Sequence, residues 1–119
     1  MDLHVTSDGQ IVVMHDSTVD RTSNGTGRVS GMSLEQIRSL DVGAWFGGQF
    51  AGERVPTLEE VFEQIVPRIP VVLDCKQRNA GIEDRVVELA RAHNVVDKIT
   101  VSSRSGPILA RIKRLEPSM

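Results

Sequence analysis

Cysteine occurs once, at position 75, so neither an intrachain disulfide nor a cysteine-rich zinc site can form. No apolar run approaches the roughly 18 residues of a membrane span, and the start of the chain has neither a basic n-region nor an apolar h-region. Excess positive charge is missing too: a net charge of -2 and a pI near 5.9 leave no broad electropositive surface for nucleic acid. The basic stretch Arg111-Ile112-Lys113-Arg114 reads as a solvated helix face. Several signatures are also absent. There is no P-loop, no Gly-x-Ser-x-Gly elbow and no His-Glu-x-x-His helix, and Gly25 to Gly31 is one residue too long for a dinucleotide fingerprint. The three histidines, His4, His15 and His93, lack zinc-site spacing. His4 is expected to face out or pack locally, and His93 to end a helix and interact with its dipole.

What is present is the composition of one soluble globular domain, 119 residues with 39% hydrophobic and 25% charged. Asp2 to Thr6 alternates polar and apolar residues, Ser7-Asp8-Gly9-Gln10 turns, and Ile11 to Met14 is an apolar run. This predicts a hairpin, with Asp8-Gly9 as a favoured pair for a two-residue turn. Ser17 to Gly31, rich in Ser, Thr, Asn and Gly, predicts a loop. Ser33-Leu34-Glu35-Gln36 and Thr57-Leu58-Glu59-Glu60 both have the form of a capping box opening a short helix. Between them, Gly43 to Phe50 carries the only tryptophan and two of the three phenylalanines, which are expected to pack as anchors of a glycine-rich excursion.

After Pro70 the pattern becomes a βαβ unit: an apolar strand to about Cys75, an amphipathic helix from about Ile82 to His93, and a strand from Lys98 to Ser102. Its strands should be parallel and, from their continuous apolar character, covered on both faces. Cys75 is expected in the core. Pro107 marks the first turn of a last helix to about Leu115. The fold class is α/β.

Chemistry concentrates at strand ends. Alternation puts Asp74 and Lys76 on one side of their strand, where α/β proteins place active sites; a local ion pair closing the strand is the other reading. His15 ends an apolar strand, which can hold an imidazole of suitable pKa rigidly toward a pocket, while His15-Asp16 as a turn-facing pair remains the alternative. Asp2 is a strand-end carboxylate, a hard oxygen donor suited to calcium or magnesium. Asp8 and Asp16 are better explained by turns.

Taken together, Asp2, Thr6-Ser7-Asp8-Gly9, Val12 to Asp16, Asp20-Arg21-Thr22, Gly25-Thr26-Gly27, Val55 to Val61 and Asp74-Cys75-Lys76 resemble the glycerophosphodiester phosphodiesterase family in order and spacing over nearly the whole chain. The resemblance implies a partial TIM-type (β/α)8 barrel, about strands 2–4 with their helices, as one incomplete domain over 1–119 containing a loop-rich insertion over 17–52. It implies hydrolysis of glycerophosphodiesters to glycerol 3-phosphate and an alcohol with a divalent cation, Ca2+ or Mg2+. His15 would be a catalytic acid, Asp2 and Asp74 metal ligands, and Lys76 a phosphate-binding or carboxylate-stabilising group. The family's His-Arg-Gly strand, the glutamate before Asp2 and the C-terminal half of the barrel have no counterpart, and Asp74 stands where the family has glutamate.

The chain therefore reads as a fragment, inactive or weakly active alone, with a non-catalytic remnant or metal- and phosphate-binding module as the alternative. Self-association or pairing with a complementary barrel half is expected. The expected location is the cytoplasm, with export left open because the amino terminus reads as truncated.

Overall fold

The computed structural model describes residues 1–76 and 82–119. Four strands, β1 (Asp2–Val5), β2 (Ile11–Val13), β3 (Val71–Cys75) and β4 (Ile99–Ser102), form one sheet in the order β2-β1-β3-β4. β1, β3 and β4 run parallel, and β2 is antiparallel to β1. The helices are α1 (Leu34–Arg38), α2 (Leu58–Gln64), α3 (Ile82–Ala92) and α4 (Gly106–Leu115). The parallel β3-α3-β4 unit is as the sequence leads one to expect. So are both capping boxes: Ser33 and Thr57 each accept the N3 backbone N–H, while the side chains of Gln36 and Glu60 return to the cap backbone. Such reciprocal bonds satisfy amides that a helix start leaves unpaired.

One face of the sheet carries the larger core. Leu3, Ile11, Leu73, Cys75 and Ile99 pack against Leu58 and Phe62 of α2, Val86 and Ala90 of α3, and Ile108 and Ile112 of α4. Each helix meets the sheet through residues three or four apart, the spacing that builds an apolar stripe. Arg111, Lys113 and Arg114 lie exposed around buried Ile112. Cys75 is buried, and burial pushes its thiol pKa up to about 12, with Asp74 and Glu83 adding to the effect.

The other face departs from expectation. The Val71-Val72-Leu73 run predicted a strand covered on both sides, yet Val72 is 52% exposed, and Thr100 and Ser102 are exposed beside it. Only the helix side of β3 and β4 is covered among the described residues.

The hairpin also differs. Thr6 and Gln10 close it through Thr6 N–H donating to the Gln10 carbonyl at 2.8 Å, leaving Ser7, Asp8 and Gly9 as a three-residue loop in place of a two-residue turn. Gly9 takes φ +81°, where glycine has no Cβ to clash, and Asp8 accepts from the Thr6 hydroxyl and from Leu34 N–H at the start of α1. The Asp8 side chain thus ties the turn to a helix distant in sequence.

Across the hairpin, His4 and Val12 are register partners, so they share the face opposite Leu3 and Val13. There Val12 and Met14 meet Val19, Val29, Ile37 and Val55 in a second, smaller core. His4 does not face out: it is 2% exposed, with Nε2 3.3 Å from the carbonyl oxygen of His15. The outer edge of β2 is held by the Val13 N–H to Pro56 carbonyl bond and by the bridge between Val12 and Thr57.

The aromatic residues of the glycine-rich excursion do not pack as anchors. Trp45, Phe46 and Phe50 are 51%, 71% and 39% exposed; Trp45 meets Phe46 edge-on at 5.7 Å between ring centroids, and Phe46 meets Phe50 at a tilt at 5.4 Å. Polar bonds hold the segment instead. The Asp41 carboxylate accepts backbone N–H groups of Gly43, Ala44 and Gly52, which lower its pKa to about 2. Gly43 is required by close approach, since a Cβ there would overlap the Phe50 carbonyl oxygen.

Candidate active site

Asp2 and Asp74 are register partners on neighbouring parallel strands, which places both carboxylates on the open face near the carboxyl end of β3. Lys76 lies two residues beyond Asp74 and so points the same way. Its Nζ is 3.8 Å from Asp2 Oδ2 and 3.7 Å from Asp74 Oδ2, bridging the two acids. β2 returns antiparallel along β1, with Met14 N–H bonded to the Asp2 carbonyl, so the next residue, His15, arrives beside the same carboxylate. His15 Nε2 is 3.8 Å from Asp2 Oδ2. All four residues singled out in the sequence therefore meet at one place.

Asp16 has a larger part in this geometry than a turn residue. It accepts from His15 Nδ1 at 2.7 Å and from Nε and Nη2 of Arg21 at 2.9 and 3.0 Å. The Arg21 guanidinium, and after it the His15 ring, hold the Asp16 carboxyl well below the usual carboxylate range. An ionised carboxylate only accepts, so Nδ1 carries the hydrogen in this bond and the ring is turned with Nε2 outward. That nitrogen faces Asp2.

Two carboxylates that both approach one ammonium group are oxygen donors of the kind that calcium and magnesium prefer, and Lys76 shows that a positive charge is accommodated beside both. Two residues supply fewer than the six to eight oxygens around calcium, so they fit a hard cation in chemistry but complete its shell only with further ligands.

A cleft of about 380 Å³ adjoins the pair and is lined by Asp74, Cys75, Lys76, Ser103, Arg104 and Ser105. The last three were not singled out from the sequence. Their signal was positional, because they follow β4 at the strand end where sites of α/β sheets lie. Ser103 Oγ bonds the Cys75 carbonyl at 2.7 Å and receives Ser105 N–H at 3.1 Å, tying the two strand ends together.

A separate group, Glu59, Glu63 and His93, has one ligand atom of each residue within 4.8 Å of the others. Its members lie on α2 and just past the end of α3, the two carboxylates are exposed, and His93 Nε2 is 3.3 Å from Glu59 Oε1. An ordinary histidine-carboxylate contact accounts for it. His93 sits at a helix end as expected, with this added partner.

Comparison with known proteins agrees with the assembly of these strands. The profile of the glycerophosphoryl diester phosphodiesterase family matches residues 1–118. A glycerophosphodiester phosphodiesterase of Caldanaerobacter subterraneus is 40% identical over 123 aligned residues, covering 100% of this chain and 51% of that protein. The crystal structure of a glycerophosphodiester phosphodiesterase from Agrobacterium tumefaciens superposes with a TM-score of 0.90 at 32% identity, over 100% of this chain and 50% of that one. An Oleispira antarctica phosphodiesterase, solved with its product sn-glycerol-3-phosphate, gives a TM-score of 0.82 at 29% identity and is matched over 49% of its length. The chain thus spans about half the length of these relatives. The parallel strands β1, β3 and β4 and the helices around them form part of a TIM-type barrel. On its matched profile and its similarity to these relatives, the chain belongs to the glycerophosphoryl diester phosphodiesterase family.

Proposed function

We propose that this chain supplies part of the machinery for metal-assisted hydrolysis of a glycerophosphodiester to glycerol 3-phosphate and an alcohol. The observation that carries this reading is the convergence of Asp2, His15, Asp74 and Lys76 on one open face beside a cleft. Asp2 and Asp74 would hold Ca2+ or Mg2+, which when bound neutralises charge on phosphoryl oxygens. Lys76 reaches toward the same place as a cation for the phosphate. His15, oriented through Nδ1 by Asp16 and Arg21, would act as the imidazolium and pass its Nε2 proton to the departing alcohol, leaving the neutral ring with its hydrogen on Nδ1.

The segment 17–52 is, on this reading, an insertion within a single barrel domain. His4 is committed to the His15 carbonyl and offers the site no second acid or base. With His15 as the one imidazole at Asp2 among the described residues, turnover by this chain alone would be weak, since a single acid or base typically contributes about a hundredfold to ten-thousandfold. The uncovered face of β3 and β4, and the place of β4 at the end of the sheet order, support pairing with a complementary barrel half or a second copy. Light scattering that finds only a compact monomer would remove that part. The single buried thiol of Cys75 fits the cytoplasm, the location expected from the sequence, and equally fits other compartments. Among the described residues, no helix is long and apolar enough to cross a membrane.

A second reading, a metal- or phosphate-binding module without turnover, is favoured by Asp74 standing where the resemblance implies glutamate and by the single imidazole at Asp2 among the described residues. Two measurements separate the readings. Calorimetry with Mg2+ or Ca2+ should show binding that is lost in an Asp2→Asn, Asp74→Asn double variant; equal binding by that variant would remove the metal assignment. Incubation with glycerophosphocholine and metal should release glycerol 3-phosphate slowly, and the rate should fall about 10² to 10⁴-fold in His15→Ala. Metal binding with no release would leave the second reading standing.

A further inference from the structure

A small cleft of about 160 Å³ has His15 and Thr22 in a wall otherwise made of apolar residues, Met14, Val42, Trp45 and Val55 among them, and shares no residue with the cleft at Asp74 and Lys76. From it we infer the chemical class of the alcohol: the cleft receives a neutral, benzene-sized apolar group on the leaving side of the phosphodiester, with Trp45 as its outer wall. The inference rests on the function proposed above, because it takes His15 to be the group that protonates the departing oxygen.

The wall is built in advance. Trp45 Nε1 donates to the Val42 carbonyl at 2.9 Å, the Phe46 ring abuts the indole at 5.7 Å, and the three backbone bonds to Asp41 fix the turn that carries both rings. An indole left half in water but held this firmly is a surface that gains free energy when an apolar partner covers it. The same indole is linked to the proposed acid. Arg21 lies over its ring at 5.9 Å and is bound to Asp16, which in turn holds His15 Nδ1.

Size and charge select the occupant. An enclosed apolar cavity of roughly 150 Å³ takes up benzene, so this more open cleft, apolar but for His15 and Thr22, has room for a ring or a short alkyl chain and not for a long acyl chain. A quaternary ammonium would otherwise favour an indole face, but one face of Trp45 is already taken by the Arg21 guanidinium at 5.9 Å, and no carboxylate lines the cleft to hold a second cation. A neutral apolar group needs no such partner.

Trp45 reports on its own cleft, since the chain has one tryptophan and no tyrosine. The whole chain would be titrated, in Mg2+, with the n-hexyl ester of sn-glycerol 3-phosphate and with glycerophosphocholine while tryptophan emission is followed. The hexyl ester should give a saturable blue shift at concentrations about tenfold lower than any response to glycerophosphocholine. In calorimetry Trp45→Ala should lose that preference and Trp45→Phe should keep most of it. Equal affinity for the two esters would overturn the inference. So would a shift produced by phosphatidylcholine vesicles and not by the monomeric ester, which would make the aromatic patch a lipid-surface contact. The two proposals fail separately: binding of the hexyl ester without release of glycerol 3-phosphate counts against hydrolysis alone, and release of glycerol 3-phosphate with an unresponsive Trp45 counts against the cleft alone.

Discussion

The helix-backed sheet and the segment joining β2 to α2 are held together by different forces. In the sheet layer, backbone groups pair in ladders and helices, and the side chains of Leu3, Phe62, Leu73 and Val86 are left only to pack. In the joining segment a small core of Val19, Val29, Ile37 and Val55 is supplemented by side chains bonded to backbone: Asp20 to Gly27, Asn24 to Asp41, Asp41 to three amides, and Arg38 to the Val55 carbonyl. The first region draws on burial, which is non-directional and proportional to area. The second draws on directional bonds near water, each modest in net effect. The two regions should therefore yield under different stresses, the layer cooperatively and the segment locally. The proposed site straddles them, with Asp2 and Asp74 on the layer and His15, through Asp16 and Arg21, supported by the segment.

The sharpest way to break that contrast is in the layer. Leu73→Ala removes a fully buried side chain at the centre of β3 and should cost about 2–5 kcal/mol, read as a fall in the urea midpoint. A loss well under 1 kcal/mol would mean that the layer is not where stability resides. Thr57→Ala, at the junction of the two regions, deletes one half of the α2 capping box and should cost about 1 kcal/mol by the same measurement.

Within the segment the effects should be smaller and local. Asp41→Ala frees the amides of Gly43, Ala44 and Gly52, so iodide should quench Trp45 more readily while the urea midpoint stays nearly unchanged. A large midpoint shift would show that segment and layer unfold as one. Acid should act in the same way and more weakly. The Asp41 pKa is lowered from 3.8 to about 2 in the folded chain, so its support is full above the ordinary value and is lost as pH falls through about 2. Trp45 emission should change across that window in the parent protein and not in Asp41→Ala.

Legibility in the sequence followed the same division. Both capping boxes, the β3-α3-β4 unit and the shared face of Asp74 and Lys76 could be read because they depend on neighbours within one turn or one strand. The hairpin was readable in outline, but its loop length was not, since Asp8 is engaged by Leu34 far along the chain. Trp45, Phe46 and Phe50 were misread because hydrophobic character predicts burial only on average, and nothing nearby says that polar bonds to Asp41 hold them out instead. Ser103, Arg104 and Ser105 went unremarked because short polar residues after a strand look like any loop.

Local order along the chain was enough to determined helices, strands, the parallel pairing and the residue types capable of acid-base and metal chemistry, because these follow from periodicity and side-chain valence. Only the folded arrangement decided that Asp2 and His15 lie 3.8 Å apart, that Asp16 and Arg21 orient the imidazole, and that an indole stands open beside it. Those distances join residues brought together by strand register and by bonds from distant loops, and register is a property of the assembled sheet.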